Sequence, residues 1–279
     1  MTTRDELLAN QRHWANAKKL EVDGKGYLPS YSANLWRPLS TTAMGCFDRG
    51  SGSELRPGRT RPAKMSALHS SSALVANVFD YWCERDAGPL LGAIGVGEAV
   101  ELLRFEAQFP TGLDGSPPNL DIAIRLRSGF TLGVESKFCE WLTPKSSLKP
   151  PFKEKYFSPV PEMWSRAGLP LCQRLANEMQ TKVQRFVYLD SPQLLKHALG
   201  LATNLRDDFA LWYLWYDLPS PESEKHRAEI ERFDSQVGTE LRFRALTYQE
   251  LFRGLGPRCS DDHAAYAEYL HRRYFENAA

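Results

Sequence analysis

Asp121, Glu135 and Lys137 are the residues of this sequence whose types and spacing could do chemistry. They lie in NLDIAIRLRSGFTLGVESKFCEW, residues 119–141, which reads as two strands joined by a tight turn at Arg127-Ser128-Gly129. Glycine supplies the positive φ that such a turn needs. Leu120, Ile122, Ile124 and Leu126 alternate with Asp121, Ala123 and Arg125, the two-residue period of a strand. With Ser128 at the centre of the turn, Asp121 falls directly opposite Glu135 on one face. Directly opposed residues hold their Cβ atoms about 4.5–5.5 Å apart, so two carboxylates there repel unless a cation sits between them. Mg²⁺ suits such a place, because it takes oxygen ligands and keeps several waters. Lys137 shares the face of Glu135 and would orient or deprotonate a metal-bound water, or stabilise charge on a phosphate. The Ser136 side chain points to the other face, but its backbone carbonyl is a further candidate ligand. Glu106, on the polar face of the preceding strand, is a third carboxylate for the metal or for holding Lys137. The chemistry that follows is phosphodiester hydrolysis by metal-activated water. The competing reading is a solvent-facing set of salt bridges, because Glu-x-Lys alone is common.

The elements that must position these residues follow from periodicity. Residues 4–20 have helical spacing, with Leu7 and Trp14 on a docking face. Residues 24–66 are rich in Pro, Gly, Ser and Thr and read as loop or short elements. Within them Arg49, Arg56, Arg59, Arg61 and Lys64 stand against a lone Glu54, a local basic stretch that reads as a solvated loop or a phosphate contact. Ser70 to Ser72 opens a helix that runs through ALVANVFDYWCE. The glycines of GAIGVGEAV are a turn or cap, since no Lys-Ser/Thr follows them. Leu103, Phe105, Ala107 and Phe109 alternate along a strand. Residues 142–165 read as loop, with a second basic stretch at Lys145, Lys149, Lys153 and Lys155.

Leu171 to Phe186 is helical, and Ser191-Pro192 starts a helix with serine as cap. Phe209 to Tyr216 is a strand buried on both faces. A polar, solvated helix is expected over 222–233, a strand over 239–246, and helices over 248–255 and 261–275. His69, His197, His226, His263 and His271 make no metal-spaced pair and are expected to be structural or exposed. Cys139 is expected to be a buried thiol rather than a nucleophile. The reading is one α/β domain at 68–279, preceded by a helix and loop-rich extension at 1–67.

Composition narrows the class. Hydrophobic residues make up 42% and charged residues 25%, enough for a packed core. A net charge of +1 gives no overall support for a nucleic-acid partner, so any such surface must be a local patch. The five cysteines form no Cys-x-x-Cys and no zinc-spaced cluster, which fits a reducing compartment. The expectation is a soluble, cytoplasmic protein with no membrane segment.

On these residues the chain resembles the PD-(D/E)XK, or restriction-endonuclease-like, nuclease superfamily. The order helix, three antiparallel strands, helix, buried strand, helix matches over about residues 68–217. Asp121, preceded by Leu120 instead of proline, and Glu135-Ser136-Lys137 match the motif. His69-Ser70-Ser71-Ser72 resembles the HSSQ-like helix start of an uncharacterised bacterial group, with Ser72 in place of Gln. The resemblance implies a central mixed sheet flanked by helices and Mg²⁺-dependent DNA cleavage, with Mn²⁺ as an alternative metal. It implies Asp121 and Glu135 as ligands and Lys137 as the catalytic lysine, in restriction, phage defence or repair. An added acid from the first helix would fall on Glu84. A Gln-x-x-x-Tyr helix motif would fall on Gln193, with His197 in place of Tyr. Cutting both strands implies a homodimer by analogy. A second class stays open: a nucleic-acid-binding or scaffolding module that keeps the fold without catalysis.

Overall fold

The computed structural model describes residues 2–145 and 150–276, so Lys149 of the second basic stretch lies outside the described residues. Five strands form one sheet in chain order: β1 (Val100–Gln108), β2 (Asn119–Leu126), β3 (Thr131–Lys137), β4 (Phe209–Trp215) and β5 (Arg244–Thr247). β1, β2 and β3 run antiparallel, and β3, β4 and β5 run parallel. This is the expected α/β architecture, a mixed sheet with helices on both faces. The helices are α1 (Thr3–Ala17), α2 (Thr41–Arg49), α3 (Ser71–Phe79), α4 (Gly88–Ala93), α5 (Met163–Arg166), α6 (Pro170–Gln180), α7 (Ser191–Leu205), α8 (Pro221–Leu241), α9 (Tyr248–Leu255) and α10 (Ala264–Leu270).

The β2–β3 hairpin has the register read from the turn: Ile122 pairs with Val134 and Ala123 with Gly133. β4 is buried at all seven residues, as a strand covered on both faces must be. α7 packs closely over β3, since a Cβ on Gly133 would come 2.8 Å from Leu201 Cδ1. One continuous core runs from Leu7 and Phe47 near the N-terminus to Tyr274 near the other end.

Several elements differ from expectation, each for a local reason. The loop-rich stretch before the core contains α2, capped by Ser40, whose hydroxyl accepts from the Ala43 N–H. Ser40 is itself held by Asp80, whose Oδ2 accepts the Ser40 N–H at 2.9 Å. A tertiary contact thus supplies what propensity did not. The basic stretch is partly neutralised, with Arg56 on Asp48 at 2.5 Å and Lys64 on Glu54 at 2.9 Å. α6 stops at Gln180. The cap of α7 is Asp190, not Ser191, because the Asp190 carboxylate accepts from the Gln193 N–H.

α8 keeps the expected solvated face, with Glu224, Lys225, Glu231 and Arg232 exposed, but it is longer than expected and amphipathic. It runs to Leu241 and buries Ile230, Phe233, Val237 and Leu241 along one stripe. Each such burial stabilises by about 1.5–3 kcal/mol. The helix thereby consumes the start of the strand expected over 239–246, which begins only at Arg244.

Candidate active site

The site forms where β2 and β3 part. Their ladder ends at Ile122 and Val134, one step before Asp121 and Glu135. Asp121 turns its carboxylate across the gap, where Oδ2 accepts the Ser136 N–H at 2.6 Å. In a strand the N–H and C=O of one residue point to the same edge, so the Ser136 carbonyl faces Asp121 as well. The Ser136 side chain points to the opposite face and meets Tyr248 Oη at 2.6 Å.

Glu135 is 1% exposed. Lys137 Nζ donates to its Oε1 at 2.5 Å and to Gln193 Oε1 at 3.0 Å. His197 Nε2 stands 2.9 Å from Glu135 Oε2, but its N–H does not aim along that line, so neither atom has an aligned hydrogen-bond partner. Gln193 and His197 sit one helical turn apart on α7, which puts both over the β3 motif.

The third carboxylate comes from β1. Glu106 faces Asp121 across the β1–β2 pair, between the register partners Phe105–Ile122 and Ala107–Leu120. Its φ is +47°, a left-handed backbone that costs a non-glycine residue about 1–2 kcal/mol. Asn119 Nδ2 donates to Glu106 Oε2 at 2.5 Å. The loop after α2 closes over it: a Cβ on Gly52 would sit 2.7 Å from Glu54 Oε1 and 3.0 Å from Glu106 Oε2. A larger residue there would have to displace both carboxylates. Glu54, 7% exposed, accepts from Ser72 Oγ at 2.8 Å and from Lys64 Nζ.

The electrostatics are those of crowded carboxylates. Burial, and then Glu54, pushes the Glu106 carboxyl up to about 7. Burial, and then Glu135, raises Asp121 well above the usual range. Burial would also raise Glu135, but the Lys137 ammonium and then His197 hold it down to about 2. Burial opposes charge on Lys137 too, yet Glu135 and Asp121 raise its pKa, so it stays protonated. Among the described residues, the fixed cations paired with these acids are Lys64, on Glu54, and Lys137, on Glu135.

A divalent cation would relieve that excess of negative charge, and the buried, unaligned Glu135 Oε2 is a further oxygen for it. Among the described residues no three His, Cys, Asp or Glu side chains converge as a complete ligand set. The donors therefore suit a hydrated ion held by two carboxylates and a carbonyl, not a closed cage.

The structure thus brings Asp121, Glu135, Ser136, Lys137 and Glu106 together. Glu84 is not with them; it is exposed and pairs with Arg37 at 3.7 Å. Its expected place is taken by Glu54, reached through Ser72 of α3. Sequence reading missed Glu54 because it lies in a loop far from the motif, its one signal being a lone acid in a basic run. His197 was named in the Gln193 motif but otherwise expected to be structural or exposed; the structure sets it against Glu135. Cys139 is buried and its thiol is pushed up to about 12 by burial, which removes it as a nucleophile.

A family model described as REase-ARP, Restriction Endonuclease associating with ARP, matches residues 9–275. No curated protein and no solved structure matches the chain.

Proposed function

The chain belongs to the family described as Restriction Endonuclease associating with ARP, and on that premise we propose that it hydrolyses DNA phosphodiester bonds with a divalent metal. The observation that carries the reading is the buried pair Asp121 and Glu135, set opposite each other beside Lys137. Asp121, Glu135 and the Ser136 carbonyl would hold Mg²⁺ or Mn²⁺, with Glu106 as the adjoining carboxylate. When bound, the metal supplies Lewis acidity toward the phosphoryl oxygens and eases deprotonation of the attacking water.

The chain's own residues supply the rest. Lys137 keeps its proton against Glu135 and Asp121, so it serves as a fixed positive charge toward the developing oxyanion. Gln193 accepts from the Lys137 ammonium and fixes where that charge sits. His197 flanks the far oxygen of Glu135 and limits how the carboxylate can rotate. Burial of Glu135 and Lys137 keeps bulk water from screening these charges.

The test is cleavage of supercoiled plasmid, linear duplex and RNA in Mg²⁺, Mn²⁺ or EDTA. We expect metal-dependent cutting of DNA that falls on the order of 10³-fold in Lys137→Ala and in Asp121→Ala. Wild-type rates in both variants would overturn the mechanism. Salt-dependent binding of DNA by the wild type without cutting would assign the chain to the non-catalytic class. Direct conversion of plasmid to linear form would support a dimer.

A further inference from the structure

A cavity of about 530 Å³ is lined by Asp121 and Glu106 and also by Arg4 of α1. We propose that Arg4 holds the backbone phosphate next to the scissile one, which makes α1 part of the substrate-binding surface; this rests on the nuclease reading above. Two groups of residues line it. Glu54, Glu106 and Asp121 are mutually close acids. Arg4 lies close enough to His69 and the Cys139 thiol, also in the lining, to act on both electrostatically.

Arg4 and Lys64 are the two fixed cations of that lining, and the group that Arg4 reaches there is the Cys139 thiol, a neutral and weak partner. Lys64 is spent on Glu54 and on the Gly52 carbonyl. Glu140, which also lines the cavity, gives Oε2 to the N–H groups of Phe138 at 2.8 Å and Cys139 at 3.0 Å. Arg4 is exposed and, among the described residues, makes no salt bridge to a carboxylate. A guanidinium is weakly hydrated and presents paired donors that match two phosphate oxygens, so a phosphodiester is the occupant its chemistry selects.

The platform under Arg4 is fixed. Thr2 and Asp5 close a capping box at the start of α1. Leu7 and Trp14 are buried. Gln11 Nε2 donates to the Arg273 carbonyl at 3.2 Å, and the buried Arg273 guanidinium lies 3.8 Å above the Trp14 ring. An arm that ordered only on binding would lose part of its contact energy to ordering, whereas Arg4 is already in place. The contact is to backbone, so it adds affinity and salt dependence and not sequence preference.

The experiment is duplex-DNA binding by fluorescence anisotropy in EDTA across a salt series, with steady-state cleavage in Mg²⁺ alongside. Arg4→Ala is expected to bind about tenfold more weakly. Its log K against log[salt] slope should be shallower by about 0.9, the loss of one phosphate contact. KM should rise while kcat holds, as removal of uniform binding predicts. Arg4→Lys should keep the wild-type slope, which a purely structural role for α1 does not predict. Wild-type affinity and slope in Arg4→Ala would overturn this inference and leave the nuclease reading standing. Failure of the wild type to bind or cut DNA would overturn both.

Discussion

His197 and His226 invite comparison because they occupy equivalent places with opposite results. Both are buried, at 3% and 0% exposure, and both descend from a helix onto the same face of the sheet. His197, from α7, reaches Glu135; His226, from α8, reaches Tyr213, the register partner of Glu135 on the next strand. His226 meets Tyr213 Oη at 3.0 Å, stacks on Trp141 with centroids 4.8 Å apart, and meets Trp215 edge-on. Burial, then Lys145 and Arg227, pushes its pKa down to about 3, so it is a neutral ring among indoles. His197 instead sits beside the Glu135–Lys137 ion pair, next to the crowded acids Asp121 and Glu106. One histidine contributes packing; the other helps to hold a strained charge arrangement. Adjacent positions on one sheet thus separate stability from chemistry.

The largest effect that would sharpen this contrast is on folding. His226→Ala should cost about 3 kcal/mol at pH 7, since it removes a buried ring and leaves Tyr213 Oη unpaired. The folded pKa of His226 lies below its unfolded value of about 6.5, so its contribution is complete above pH 6.5 and is lost as pH falls toward 3. The deficit of His226→Ala should therefore shrink by a few kcal/mol at pH 4, as read by urea unfolding at both pH values. An equal deficit at both would break the assignment of His226 as a neutral core residue. Specific cleavage activity of the folded variant should match wild type.

A smaller effect is expected at His197. His197→Gln should lower kcat about tenfold, or about 1.4 kcal/mol, while the unfolding free energy changes by less than about 1 kcal/mol. A large loss of stability with full activity would place His197 with His226 instead.

Much of this molecule was legible in its sequence, where one local rule decided the outcome. The β2–β3 register followed from turn length and alternation, which fixed Asp121 opposite Glu135. The buried β4 followed from its uninterrupted apolar run. What escaped was set by contacts distant along the chain. α2 depends on Asp80 holding Ser40. Glu54 enters the site because Gly50 and Gly52 let the loop lie against Glu106. α8 reads as polar by composition, yet its buried residues fall at helical spacing, and that stripe decided its length. His197 departed from the Gln193 motif by residue type, and only the packing of α7 over β3 set it against Glu135.

The proposed mechanism requires Asp121 and Glu135 to hold a divalent cation between them. The direct measurement is thermal and calorimetric titration of wild type, Asp121→Asn and His226→Ala with Mn²⁺, without nucleic acid. Stabilisation of the wild type by about 2.7 kcal/mol is expected at a Mn²⁺ concentration of 100 times Kd. The same gain should appear in the less stable His226→Ala and vanish in Asp121→Asn. No binding by the wild type, or equal binding by Asp121→Asn, would contradict it.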